Sequence, residues 1–180
     1  MLLLRHVALF ILVAAISRFL PASDQTIFVF GDDINQKFVR YVAELTGKPN
    51  PAICYLPTAS GDNPDNITFW ERICRNLSLE PHILKVWVSA DPKNPSFADQ
   101  ILGMDALVVG GGNTLNMMGI WKAQGIDQIL RQAAEKGIIL AGGSAGSLCW
   151  FETGISDSRP TQLSLVEGLG LLPFSNCPHY

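Results

Sequence analysis

Ile138-Ile139-Leu140-Ala141-Gly142-Gly143-Ser144-Ala145-Gly146 is the stretch that decides how this chain folds. Its first four residues are apolar throughout and few in number, the pattern of a strand covered on both faces. The next five fit G-x-S-x-G, a sharp strand-to-helix turn that lifts a serine hydroxyl above the edge of a sheet. Small residues flank the serine because a strained turn leaves no room for side chains. Just upstream, Ile126 to Lys136 carries Ile126, Ile129, Leu130, Ala133 and Ala134 on one helical stripe, and Gly137 closes it.

The same alternation extends towards the N-terminus. Ala106 to Val109 reads as a strand running into Gly110-Gly111-Gly112-Asn113-Thr114, and a helix follows from Leu115 to Lys122. His82 to Val88, Ala52 to Leu56 and Thr26 to Phe30 read as further strands; Gly31-Asp32-Asp33 stops the last of these. Helices are expected near Asn35 to Leu45 and Asp65 to Leu77, with a short turn over Phe97 to Leu102. Apolar strands separated by amphipathic helices predict an α/β fold: a doubly wound, mostly parallel sheet flanked by helices.

Composition narrows the function. The chain has 180 residues, of which 48% are hydrophobic and 16% charged, a balance that excludes a disordered protein. Thirteen Lys and Arg against sixteen Asp and Glu leave a net charge of −3, so binding driven by nucleic-acid phosphates is not expected. Cys54, Cys74, Cys149 and Cys177 form no CxxC or zinc-type spacing, and free buried thiols are the expected state.

Residues 1–23 have a basic start at Arg5, an apolar core from Val7 to Ile16 and small residues around a cut after Ala22. This is the form of a secretory signal, and its apolar core is too short for a stable membrane span. The alternatives are an amphipathic extension and a misassigned start. Export follows if the segment is a cleaved signal. Residues 24–180 are expected to form a single α/β domain.

In such a sheet the chemistry belongs at the carboxyl ends of the strands, where both Gly-rich loops fall. Ser144 is the candidate nucleophile. Ala145 and a glycine of the first loop are candidates for the backbone N–H groups that would hold an oxyanion. A serine needs a base. His6 lies in the signal-like segment and His82 at the amino end of a strand, which leaves His179. Glu152, Asp157 and Glu167 are candidate acids to orient it.

Several motifs occur together: Leu56-Pro57-Thr58-Ala59-Ser60, Val109 to Thr114, Ala141 to Gly146, Trp150, Asp157-Ser158 and Asn176-Cys177-Pro178-His179-Tyr180. In order and spacing the chain resembles the peptidase E (alpha-aspartyl dipeptidase) and cyanophycinase family of serine peptidases. The resemblance implies a class I glutamine amidotransferase-like fold with serine in place of cysteine. It also implies Ser144 as nucleophile, His179 as base, and Gly112 and Ala145 as oxyanion donors with Gly111 as the alternative. Asn113 and Thr114 would order the loop or touch substrate.

For the third triad member the resemblance offers two choices, Asp157 or a glutamate beyond Tyr180. It implies a small peptide with an N-terminal aspartate, or an aspartyl–arginine linkage, as substrate. No metal and no other cofactor is implied; a cytoplasmic location is, and a homodimer is allowed. Family members continue past the His-Tyr pair, so the domain is expected to lack its C-terminal elements, and Gly143 and Ser147 depart from commoner family residues. The rival readings are an α/β-hydrolase esterase, an inactive ligand-binding homologue and a cysteine amidotransferase, which would need cysteine at position 144.

Overall fold

The computed structural model describes residues 25–179; the signal-like segment lies outside them. Five strands form one parallel sheet: β1 (Ile27–Phe30), β2 (Ala52–Leu56), β3 (Glu80–Ile83), β4 (Ala106–Val109) and β5 (Ile139–Gly143), in the order β1-β5-β4-β2-β3. Between them run α1 (Gln36–Leu45), α2 (Pro64–Cys74), α3 (Phe97–Leu102), α4 (Thr114–Gln124) and α5 (Ile126–Glu135). After β5 come the single turn α6 (Ala145–Leu148) and the strands β6 (Phe151–Ser156), β7 (Ser164–Glu167) and β8 (Leu172–Asn176). These last three pair in the order β7-β6-β8.

Alternate residues of each central strand enter separate cores. Ile53, Tyr55, Ala106, Val108, Ile139 and Ala141 pack with Phe38, Val42 and Trp70 from α1 and α2. Cys54, Leu56, Leu107, Val109 and Leu140 pack with Trp121, Leu130 and Trp150 on the opposite face. The sheet is therefore covered on both sides, which is why its central strands β2, β4 and β5 carry no charged residue, while the edge strand β3 carries Glu80 and His82. The doubly wound, mostly parallel α/β architecture read from the sequence is the one observed. Cys54, Cys74 and Cys149 are buried and all four cysteines are free. Among the described residues no helix is long and apolar enough to cross a membrane.

Local chemistry fixes the helix starts. The Asn35 side chain accepts from the Phe38 N–H at 3.1 Å, and the Asn113 side chain accepts from the Asn116 N–H at 2.9 Å. The register of β2 is pinned by Asp105, which accepts from the Ala52 N–H at 2.9 Å and pairs with Lys48 at 2.6 Å. Burial raises the Asp105 pKa, but the Lys48 and Ala52 hydrogen bonds outweigh it and hold the carboxyl below its usual value. Its contribution to stability is thus present above the ordinary carboxylate range and is lost as pH falls through the lowered folded value.

Two expectations change. The third strand was expected over His82 to Val88; the ladder instead ends at Ile83. Leu84 still donates its N–H to the Tyr55 carbonyl at 2.9 Å. The next donors, Val86 and Trp87, give their N–H groups to Asp62 Oδ2 at 2.6 and 3.0 Å, and this draws the chain off the sheet. The second difference is the small sheet β7-β6-β8. Gly154 in β6 and Pro173 in β8 weaken a strand pattern, and its exposed positions include Ile155, Leu165 and Phe174.

The Asp62 carboxylate organises the segment after β3, so Asp62→Ala should lower unfolding free energy by about 2 kcal/mol, the scale of hydrogen bonds to a charged acceptor. Urea denaturation reads this directly, and an unchanged midpoint contradicts the role given to Asp62.

Candidate active site

Because β1, β4 and β5 are parallel neighbours, the residues following them meet at one edge of the sheet. β5 lies between the other two, which places Ser144 between the loop after Phe30 and the loop after Val109. Ser144 has φ +52° and ψ −119°, a conformation disfavoured for a residue with a side chain. Strain of this kind costs of order 1–3 kcal/mol and persists only where the surroundings impose it. Here Ser144 donates its N–H to the Phe30 carbonyl at 3.1 Å, and its own carbonyl accepts from the Ser147 and Leu148 N–H groups at 2.9 and 3.2 Å. Gly146 is indispensable to the turn: a Cβ there would stand 2.1 Å from the Val109 carbonyl oxygen.

Ser144 Oγ lies 3.0 Å from Nε2 of His179. His179 follows β8, which runs parallel to β6 and brings the end of the described chain back to the elbow. Its segment is held by a two-step hydrogen-bonded clamp that the sequence did not disclose. Asn176 donates its side-chain amide to Ser147 Oγ at 3.0 Å, and Ser147 Oγ donates to the Ser144 carbonyl at 2.7 Å. The clamp ties the strand that leads to His179 to the turn that carries Ser144.

The first Gly-rich loop closes the other side. Gly111 lies against Ser144, with its Cβ direction 3.2 Å from Ser144 Cβ. Gly112 has φ +138°, and a side chain there would meet the Ala59 carbonyl oxygen at 2.2 Å. Among the described residues nothing accepts from the N–H groups of Gly111, Gly112 or Ala145, so all three are available to an incoming oxygen. α6 is a single turn; local N–H groups, rather than an extended helix dipole, are what this edge offers an anion.

Asn113 orders its loop. One end of its amide caps α4, and the other donates to the Ser158 carbonyl at 3.0 Å. Ser158 Oγ in turn accepts from the Leu115 N–H at 3.2 Å. Thr114 is buried and lines a cleft of about 360 Å³ together with Ile155, Asp157, Leu163, Cys177 and His179. Asp157 thus shares the cleft with His179, but no hydrogen bond joins them among the described residues. Of the other candidate acids, Glu167 pairs with Lys122 at 3.6 Å. His82 pairs with Glu80 at 3.2 Å, and the buried Cys149 has its thiol pKa pushed well above the ordinary value by desolvation. A larger groove of about 1230 Å³, between Ile83 and Gln124, contains no comparable pair.

Asp33 was read from sequence only as a strand terminator. The structure places its Oδ1 3.0 Å from the Cβ direction of Gly111, on the side of the sheet edge where Ser144 stands. A charged residue just past a strand's carboxyl end was the signal available.

The sequence profile of Peptidase family S51 matches residues 29–180. The chain belongs to peptidase family S51. It is 39% identical over 146 residues to the uncharacterized peptidase YgaJ of Bacillus subtilis, covering 81% of this chain and 62% of that one. It is 34% identical over 110 residues to peptidase E of Shewanella denitrificans, covering 58% of this chain and 43% of the relative. The chain therefore spans less than two thirds of the length of either relative. A crystal structure of a candidate peptidase E protein from Listeria monocytogenes shares the fold, with TM-score 0.64 at 19% identity, over 87% of this chain and 79% of that one.

A fluorophosphonate should label Ser144 and leave Ser144→Ala unlabelled. His179→Ala should slow labelling at least about 100-fold. Asn176→Ala, which opens the clamp, should slow it about tenfold. Mass spectrometry of the labelled peptide gives these rates, and equal labelling of Asn176→Ala and the parent protein contradicts the clamp.

Proposed function

We propose that this protein is a serine-type peptidase that hydrolyses Asp-Xaa dipeptides through an acyl-enzyme on Ser144. The observation that carries the reading is the 3.0 Å contact between Ser144 Oγ and His179 Nε2 on a strained elbow. His179 takes the hydroxyl proton as Ser144 attacks the scissile carbonyl carbon, and the C–O bond forms as the carbonyl becomes an oxyanion. The oxyanion is met by N–H groups of Ala145 and of Gly112 or Gly111. Collapse breaks the C–N bond, and His179 returns the proton to the leaving amine. Water then attacks the acyl-enzyme, giving its proton to His179; the bond from Ser144 Oγ to the acyl carbon breaks as His179 returns that proton to Oγ, and the acid is released.

The aspartyl substrate is supported by the family and by relatives that bear the name peptidase E. Asp157 is the candidate acid on the cleft wall. One observation favours a second reading, a ligand-binding homologue without turnover: among the described residues no carboxylate hydrogen-bonds the other ring nitrogen of His179. An unoriented imidazole is a weaker base than one held by an acid.

On a panel of Asp-Leu, Leu-Leu and β-aspartyl-arginine, the protein should release aspartate from Asp-Leu and leave Leu-Leu intact. Ser144→Ala should lower kcat by about 10⁴ or more. Cleavage of β-aspartyl-arginine alone moves the substrate to the aspartyl–arginine class. Activity unchanged in Ser144→Ala contradicts the nucleophile, and absence of all hydrolysis supports the binding reading.

A further inference from the structure

The reaction above leaves one charged group of the site unused. Asp33 Oδ1 and Ser144 Cβ stand 3.0 and 3.2 Å from the same point, the position of a Cβ on Gly111. The carboxylate and the nucleophile thus flank a single peptide unit, one that offers its N–H to the oxyanion. Asp33 is exposed, and among the described residues no side chain donates to its carboxylate or pairs with it. Its charge is felt nearby: the Tyr55 phenol is pushed up to about 12, first by burial and then by Asp33.

An uncompensated carboxylate at this place works against acyl transfer. The tetrahedral intermediate carries negative charge towards Gly111, and a like charge beside it raises the barrier. A cation on the substrate, seated beside Asp33, reverses that effect. The geometry of a peptide says where such a cation would be. The α-nitrogen of the acyl residue is separated from the scissile carbonyl carbon by Cα alone, roughly 2.5 Å away. Once that carbon is at Ser144 Oγ, the nitrogen must lie in the immediate surroundings of the nucleophile. In an N-terminal residue it is an ammonium; in an internal residue it is a neutral amide with another carbonyl attached.

We propose that Asp33 binds the α-ammonium of the substrate's N-terminal residue and thereby restricts the site to bonds one residue from a free N-terminus. The proposal rests on the serine-peptidase reading and adds to it the group that selects the chain end. Asp33 makes no hydrogen bond to His179 or to Ser144 Oγ, so it acts neither as the base nor as the acid that orients the base. A charge-assisted ammonium–carboxylate contact is strong enough to discriminate a charged amine from an acylated one.

The test measures binding apart from turnover. Calorimetry on Ser144→Ala should find Asp-Leu bound about 30-fold more tightly than N-acetyl-Asp-Leu, the scale of one hydrogen bond between charged partners. In Ser144→Ala with Asp33→Asn the two ligands should bind alike, through weaker binding of the free amine only. Asp33→Glu should keep a preference for the free amine. In the protein with Ser144 intact, Asp33→Asn should lower kcat/KM for aspartyl p-nitroanilide by a similar factor and should not lower it for the N-acetyl derivative, whose barrier the carboxylate raises. Equal affinity for the two dipeptides, no detectable binding of Asp-Leu, or an Asp33→Asn loss falling equally on both ligands overturns the proposal. Failure to hydrolyse any substrate, with the amine preference intact, overturns the peptidase reading and leaves Asp33 as the amine anchor.

Discussion

The site depends on the backbone of Ser144, held at φ +52° and ψ −119° where β5 turns into a single helical turn. A serine does not settle there unaided. Its N–H is fixed by Phe30 of the neighbouring strand, its carbonyl is fixed by Ser147 and Leu148, and Gly146 lets the next turn lie against Val109. The restraints come from β1, from α6 itself and from the packing of α6 on β4, so the strain is maintained by the packed sheet edge rather than by one contact. What it achieves is direction: the hydroxyl points out of the sheet edge towards His179 on one side and unpaired backbone donors on the other.

Strand order explains why these groups converge. β5 lies between β1 and β4, so one loop on each flank of Ser144 is predetermined. One flank supplies glycine N–H groups and the other supplies the Asp33 carboxylate. The third wall, with His179 and Asp157, comes from the small sheet, and the Asn176–Ser147 clamp joins that sheet to the elbow. The imidazole and the Asp33 carboxylate thereby reach the elbow from different elements, the imidazole facing Ser144 Oγ and the carboxylate standing beside Gly111.

Much of this was legible in the sequence, for identifiable reasons. The strands β2 and β4 were readable because apolar runs with helices between them have one stable solution. The elbow was readable because glycine on both sides of a serine, directly after an apolar strand, has a mechanical cause that the Gly146 contact displays. His179 emerged by exclusion of two other histidines and by family resemblance. What stayed hidden depends on order in space. That β1 neighbours β5 cannot be read from local pattern, so Asp33 looked like a turn residue. Asp62 drawing Val86 and Trp87 off the sheet is a contact across more than twenty residues, with no periodic signature. The strands after Trp150 were obscured by Gly154 and Pro173.

The proposed chemistry requires Ser144 to attack a carbonyl within reach of His179 and of backbone N–H groups that have no acceptor among the described residues. A crystal structure of the protein after reaction with a fluorophosphonate tests it most directly. The expected adduct has phosphorus bonded to Ser144 Oγ, a phosphoryl oxygen within hydrogen-bond distance of the Ala145 N–H and of the Gly111 or Gly112 N–H, and His179 Nε2 still adjacent to Oγ. An adduct on another residue, or a phosphoryl oxygen turned away from all three N–H groups, would contradict it.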